Sequence, residues 1–364
     1  MSVLDQSKTI LFTSVGNEAI HGFATDLRQR APNWRLIGVD VREDAAGRFV
    51  CDLHETVPRR DDPAFLIALQ DLVERFSVDL VVPLSTEDQD WFCRPEIHDA
   101  LAPAVVLTSS ERAVGIANRK TALFAYLSDR PHLLPEHAHV RTSAEALEAV
   151  EHMVRLHGAA LLKSDAGTGG RGMVCIGRPA HDPAPAVGRN FIPIDVWRDV
   201  ATASSAMRAT FAASVWGADA RWPQLVNAYL PGAEYSVDVL ADRGDTLAAL
   251  VRRRDAADGG LAMTAEVVDA PDVEAAAREV VEAVGLSHVV NVQFRRDASG
   301  QPRLMEINPR SPGTIGLTVA AGFNLPLAAF ARAMGGDAEL VTPPRFALKC
   351  FRYRGLVFSD GRWG

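Results

Sequence analysis

No apolar run in the sequence approaches the roughly 20 residues that would cross a bilayer. The longest uncharged stretches, such as Leu80–Leu84 and Ala102–Leu107, end within a strand's length, so no membrane contact is expected. Positive charge is also scarce. With 38 basic against 46 acidic residues and a formal charge of -8, no global field would gather nucleic acid or anionic lipid, and any polyanion must be held locally. Cys51, Cys93, Cys175 and Cys350 are scattered without a C-x-x-C pair, which fits reduced thiols and excludes a disulfide frame or a cysteine zinc site. Met1–Lys8 has no basic start followed by an apolar stretch, so no secretory signal is expected and the cytoplasm is the expected compartment. Repeats, heptads and low-complexity tracts are missing as well, as is any Ser/His/Asp or Cys/His nucleophile constellation. What remains is an ordinary globular mixture, 48% hydrophobic and 23% charged over 364 residues, enough for a large core and two to three domains of about 150 residues each.

The first third alternates strand-like runs (Thr9–Val15, Arg35–Val41, Asp79–Leu84, Ala104–Thr108) with amphipathic stretches. Phe65, Leu66, Leu69, Leu72, Val73 and Phe76 form one apolar stripe on a helix opening near Asp62-Pro63. Strands separated by helices imply a parallel sheet with its ligand edge at the strand C-termini. Gly16, Asp40 and Ser85–Asp88 lie at that edge, with His21, His54, Glu87 and Asp88 as candidate substrate contacts. A single helix is expected from Ser109–Ser110 toward Leu127, then a second from Ser143 to His157. Residues 178–221, rich in Ala, Pro and Asp, have the weakest pattern and are expected as a mobile insertion. Strands return at Leu225–Leu230, Tyr235–Ala241, Thr246–Val251, Val289–Arg295 and Arg303–Asn308, with a helix over Asp272–Val284, so the last two thirds read as α+β.

Two clusters carry chemistry. The first begins at Lys163 and runs through Gly167, Gly169, Gly170 and Gly172. It contains a formal G-x-G-x-x-G, but the strand-like Met173–Ile176 follows where a dinucleotide motif needs a helix. Met173 and Val174 stand where a Walker A loop needs Lys and Ser or Thr. Strand, glycine loop, strand describes a hairpin whose backbone N–H groups can fold over phosphates; by itself it equally describes a glycine-rich surface turn.

The second cluster is Asn291–Phe294, a turn at Asp297–Gly300, and Arg303–Arg310, a β-hairpin by its pattern. Alternation puts Glu306 and Asn308 on one face, with Met305 and Ile307 packed on the other, and pairing can bring Gln293 beside Glu306. One carboxylate with two amide oxygens is hard-ligand chemistry, suited to Mg2+ rather than zinc. The bland alternative is a Glu306 satisfied by Arg303 or Arg310. His137 and His139, two apart near Pro135, read as surface polarity on a loop, because no further donor of the right type is near.

Taken together, the two clusters, Asn118-Arg119-Lys120, and the stretch Val226–Asp238 resemble the ATP-grasp superfamily, most closely its carbamoyl-phosphate-synthetase-like branch. The resemblance covers most of the chain. It implies a Rossmann-like parallel-sheet domain over residues 1–108, linking helices and a lid over 109–228, and a catalytic lobe over 229–364, the last two clamping ATP. It further implies that Lys120 and Lys163 touch the ATP phosphates under a lid made by Gly167, Gly169, Gly170 and Gly172. Val226, Asn227 and Leu230 would present the hinge to adenine, with Glu234 on the ribose side. Gln293, Glu306 and Asn308 would hold Mg2+, with Arg310 extending toward the phosphates. Arg252–Arg254 fall where relatives stabilise the transferred phosphoryl group; Arg253, with Arg254, is favoured, although three consecutive arginines alternate faces on a strand and parity alone does not choose. Two positions depart from the pattern: Ala228 replaces a common hinge glutamate, and Asn118-Arg119-Lys120 a commoner Asp-Lys.

The activity so implied is an ADP-forming carboxylate–amine ligase that makes an amide through an acyl phosphate, its partners two small molecules and its oligomeric state a homodimer. Carboxyphosphate or carbamoyl phosphate chemistry is the rival within enzymes, and a non-catalytic nucleotide-binding module the rival outside them. An NAD-dependent oxidoreductase would need a phosphate-binding glycine turn after the first strand, which Gly16–Gly22 does not supply.

Overall fold

The computed structural model describes residues 3–165, 173–177, 190–216, 222–258, 261–336 and 343–352. Their strands gather into three sheets, one after another along the chain. The first is built from β1 (Lys8–Thr13), α1 (Ala19–Arg30), β2 (Trp34–Asp40), β3 (Leu53–Thr56), α2 (Ala64–Phe76), β4 (Leu80–Pro83), α3 (Thr86–Phe92), α4 (Pro95–Ala100) and β5 (Val105–Val106). All its pairings are parallel, in the order β3-β2-β1-β4-β5, so the strand order reverses between β1 and β4. Sequence reasoning missed β3, four residues with polar His54 and Glu55 at their centre and none fully buried. One face of this sheet packs on α2, and the other joins Phe12 and Phe23 to Phe330 near the end of the chain, with ring centroids 5.5–6.2 Å apart.

Next come α5 (Glu111–Ala117) and α6 (Lys120–Tyr126), where one continuous helix was expected. The break has a polar cause. Asn118 donates to the Thr86 carbonyl and the Asp90 carboxylate, and Asp165 starts α6 afresh, accepting from the Thr121 N–H at 2.8 Å and the Thr121 hydroxyl at 2.6 Å. A side chain on a distant strand end thus caps a helix, which local periodicity cannot foretell.

The second sheet contains β6 (His137–Val140), α7 (Ser143–His157), β7 (Ala160–Ser164), β8 (Met173–Ile176), β9 (Asn190–Ile192), α8 (Ile194–Thr202), α9 (Ser205–Trp216) and β10 (Gln224–Ala228), in strand order β6-β10-β7-β8-β9. Helix α7 is bounded by ordinary signals. The Thr142 hydroxyl accepts from the Glu145 N–H, and Gly158 at φ 74° ends the helix in the left-handed region. The stretch 178–221 is not simply an insertion. Its described part holds β9 and two helices, and Trp197, buried to 2% exposure, packs on Phe211 within the core of this sheet. The Ala-rich sequence of α9 gives little apolar contrast, which is why the pattern looked weak.

The third sheet contains β11 (Glu234–Asp242), β12 (Asp245–Asp258), β13 (Leu261–Val267), α10 (Pro271–Val284), β14 (His288–Arg296), β15 (Pro302–Asn308), α11 (Ile315–Ala320), α12 (Leu325–Ala333) and β16 (Lys349–Phe351). Its order is β15-β14-β11-β12-β13-β16, and every pairing is antiparallel. Strand β12 continues past the expected Val251 and carries Arg252–Arg254 into the sheet. One face packs on α5, α6 and α10; the other is apolar where it meets α12 and polar toward β7.

Candidate functional site

Alternation along β7 sends Leu162 into the core with α7 and Lys163 to the opposite face. There the Lys163 side chain is buried to 5% exposure, within electrostatic reach of Glu306, Lys120, Glu234 and Arg295. Burial pulls its ammonium from 10.5 down to about 8, Glu306 and Glu234 opposing that shift and Lys120 and Arg295 adding to it. Lys120, first residue of α6, reaches the same place, its Nζ 3.9 Å from a Glu306 oxygen. The two lysines belong to separate elements, and Asp165 ties those elements together, for its carbonyl also accepts from the Lys120 N–H at 3.1 Å.

Strands β14 and β15 form the expected hairpin. Gln293 pairs with Glu306 and Asn291 with Asn308, so all four share a face. A bulge between Gln293 and Phe294 makes Leu304, not Met305, the partner of Phe294. Leu304 and Ile307 therefore enter the core while Met305 stays half-buried outside it, which corrects the packing expected of Met305 from strict alternation. Glu306 makes no hydrogen bond among the described residues. Gln293 accepts from Arg254 at 3.2 Å and Asn308 accepts from Arg310 at 3.2 Å. Each amide oxygen has a second lone pair, so one open carboxylate and two half-used amide oxygens fit a hard divalent cation. Among the described residues no group of three or more His, Cys, Asp or Glu is placed to bind a metal, so such an ion would draw its remaining ligands from phosphate oxygens and water.

The arginine triplet divides by parity. Arg252 and Arg254 lie on the face of Gln293: Arg254 is paired with Glu234, while Arg252, fully buried, is paired with Asp238 and hydrogen-bonded to Thr314. Arg253 faces the other way, between Asp255 at 2.6 Å and Glu266 at 2.7 Å, which takes it out of the cluster. Arg310 lies under the influence of Glu306, Glu87, Glu18 and Asp238, and burial holds its guanidinium below the ordinary arginine value. Four cations, Lys120, Lys163, Arg254 and Arg310, thus meet two carboxylates, Glu234 and Glu306. The polyanion site that the net charge required to be local has this character.

Pairing with β6 and β7 occupies the β10 backbone from Gln224 through Ala228. Val226 points into the core behind the sheet, and Asn227 is buried, its side-chain oxygen without a hydrogen-bond partner among the described residues. Beyond them the Tyr229 N–H still donates to the Ala159 carbonyl at 3.3 Å, so Val226 and Asn227 lie inside the sheet and the backbone leaves it only near Leu230. Gly167, Gly169, Gly170 and Gly172 lie outside the described residues. His137 and His139 are on strand β6, not a loop, and meet edge-to-face with ring centroids 5.4 Å apart, His137 also edge-to-face with Phe124. His21 is exposed on α1, and His54 has a buried Nε2 without a hydrogen-bond partner among the described residues.

Sequence reasoning passed over Arg295. Buried to 2% exposure, it donates to the Gly232 carbonyl and lies 5.2 Å over the Tyr229 ring, fastening the segment after β10 to the hairpin. It also passed over Asn291, which donates to Ser236 and Asp238 behind Gln293. Both share the parity of Gln293 on β14, a signal available from alternation alone.

The family described as "ATP-grasp in the biosynthetic pathway with Ter operon" matches residues 221–353. Among solved structures, N5-carboxyaminoimidazole synthetase from Staphylococcus aureus, complexed with ADP, is 15% identical with a TM-score of 0.62, over 93% of this chain and 80% of that one. The L-amino acid ligase from Bacillus licheniformis is 11% identical at 0.62, over 91% and 75%. The biotin carboxylase domain of Hydrogenobacter thermophilus 2-oxoglutarate carboxylase, in complex with MgADP, ADP and bicarbonate, is 14% identical at 0.64, over 94% and 73%. The family match is to residues 221–353; over the rest of the chain the likeness is one of fold. No curated protein sequence matches the chain. Its mixed architecture, a parallel sheet followed by two antiparallel-rich sheets, is the fold of those structures, and no helix among its described residues is long and apolar enough to cross a membrane.

Proposed function

We propose that the chain is an ADP-forming carboxylate–amine ligase. The observation that carries this reading is the convergence of buried Lys163, Lys120 and an unbonded Glu306 carboxylate between two sheets. Those groups suit a nucleotide triphosphate tail, and the solved relatives bound to ADP or MgADP support that choice. A carboxylate oxygen attacks the γ-phosphorus, the bond to the β-phosphate oxygen breaks, and ADP leaves. The amine nitrogen then attacks the acyl carbon, the C–O bond to phosphate breaks, and amide, phosphate and a proton result.

Lys120 and Lys163 hold the phosphates, while Arg254 and Arg310 face the charge that builds on the transferred group; positioning and electrostatics supply most of the catalysis in such transfers. Glu306, with Gln293 and Asn308, would hold Mg2+, which when bound neutralises charge on the β- and γ-phosphates. Glu234 orients Arg254 and stands on the ribose side. The glycine loop, by resemblance, excludes the water that would hydrolyse the acyl phosphate.

Bicarbonate could replace the organic carboxylate in the first step. The likeness in fold to an L-amino acid ligase supports the amide reading. Replacement Glu306→Gln should lower substrate-dependent ADP release at least about a hundredfold, close to 2.7 kcal/mol, with thermal unfolding unchanged. Coupled ADP assays with paired carboxylates and amines, followed by product mass, measure this; ADP release that survives the replacement intact would remove the assignment.

A further inference from the structure

The first sheet holds a crevice that the phosphoryl reading leaves unused. A cavity of about 140 Å3 opens at the C-terminal ends of β1 and β2, between the segment that follows β3 and Asp88 on α3, the helix after β4. Ligands of doubly wound sheets settle where the strand order reverses, because the connections there diverge to opposite faces; here that place is between β1 and β4.

The crevice wall is charged in a specific way. Asp88, buried to 4% exposure, accepts both the Thr13 hydroxyl at 2.7 Å and the Ser14 hydroxyl at 2.6 Å on one oxygen. Its other oxygen makes no hydrogen bond among the described residues; the Arg60 guanidinium, 3.7 Å away, is its nearest cation and is beyond hydrogen-bond length. Arg59 and Arg60 stand at the mouth, each substantially exposed, Arg59 bound to the exposed Asp61 carboxylate at 3.3 Å. Asp40, also lining the cavity, is committed to the β1–α1 turn, accepting from the Gly16 and Arg42 N–H groups. Val57 and Phe65 make the remaining wall apolar.

A carboxylate oxygen whose nearest cation stands 3.7 Å away has room for the shorter hydrogen bond of an ammonium group, and that cation, Arg60, turned outward can meet a carboxylate. An apolar wall and a volume of this size leave room for a small aliphatic side chain. We propose that this crevice binds a small zwitterionic α-amino acid, its ammonium on Asp88 and Ser14 and its carboxylate on Arg60. The site lies on the same sheet edge as Glu18 and Glu87, whose charges reach Arg310, so a ligand held there sits toward the cleft between the first and third sheets.

The test needs no nucleotide and therefore stands apart from the ligase reading. Calorimetric titration of the full chain with L-alanine, glycine, acetate and methylamine should show the two amino acids binding at least about tenfold tighter than either half-molecule probe. Arg60→Gln, at an exposed position, and Asp88→Asn, which keeps the acceptor for Thr13 and Ser14, should each weaken L-alanine about tenfold or more. No binding of L-alanine, acetate binding that equals it and survives Asp88→Asn, or methylamine binding that equals it and survives Arg60→Gln, each overturns the proposal. Should Asp88→Asn fail to fold, the probe comparison and Arg60→Gln decide it.

Discussion

On one face of β11 and β14, Tyr235, Val237, Val239, Val292 and Phe294 are buried against α10 and its neighbours; on the other, at alternate positions of the same strands, stand Glu234, Ser236, Asp238, Asn291 and Gln293. The apolar face draws its stability from area removed from water and would tolerate any residues of matching volume. The polar face cannot work that way. Its buried groups must satisfy one another, as Arg252 does with Asp238 and Arg254 with Glu234, and its geometry is therefore fixed by hydrogen bonds rather than by packing. One sheet thus separates an apolar face that holds the fold from the polar face assigned to the substrate in the proposed function, at a spacing of a single residue.

Replacing Phe294 with Ala should break that comparison most severely on the stability side. Phe294 is fully buried, and truncating such a ring costs about 3–5 kcal/mol, to be read as a lowered urea midpoint. Activity per folded molecule should fall far less than in the Glu306 variant. Arg254→Gln sharpens the opposite arm. With one cation removed from the phosphoryl side, ADP release should fall about a hundredfold, near 2.7 kcal/mol, and the loss should lie in kcat rather than in nucleotide affinity.

Lys163 gives an intermediate effect through pH. Its folded value of about 8 lies below the ordinary 10.5, so the ammonium is disfavoured by burial. The resulting cost to stability is present in full below pH 8 and fades as pH rises toward 10.5. Phosphates favour the charged form, so nucleotide affinity should weaken as pH rises above about 8, by up to tenfold per unit or ~1.4 kcal/mol. Calorimetry from pH 7 to 9.5 reads the slope, and Lys163→Met should abolish it along with much of the affinity. A flat profile in the unaltered chain would detach Lys163 from the phosphates.

Much of this arrangement was legible beforehand, because strand periodicity of two fixes which residues share a face once register is known. The Glu306–Asn308 parity and the Gln293 pairing came from alternation and turn chemistry alone. What escaped depends on partners distant in sequence: the α5–α6 break imposed by Asp165, the bulge that removes Met305 from alternation, and the clamp of Arg295 on Tyr229. The arginine triplet was half legible. Alternation required Arg253 to oppose Arg252 and Arg254, but only the pairing of β12 with β11 and β13 says which side carries the site.

That assignment yields the smallest expected effect and the most discriminating one. Arg253 is 38% exposed and bridges Asp255 and Glu266 in contact with solvent. Exposed pairs of this kind contribute about 0–1 kcal/mol and are screened by salt. Arg253→Gln should therefore shift the unfolding midpoint slightly, less at high ionic strength, and leave ADP release within about twofold of the parent. Its neighbour one residue along should behave differently, since Arg254 touches both Glu234 and Gln293. Equal losses in the two variants would mean that the strand presents both arginines to the cleft, which the alternation of β12 forbids; the face assignment, and with it the separation of the sheet's two roles, would then have to be abandoned.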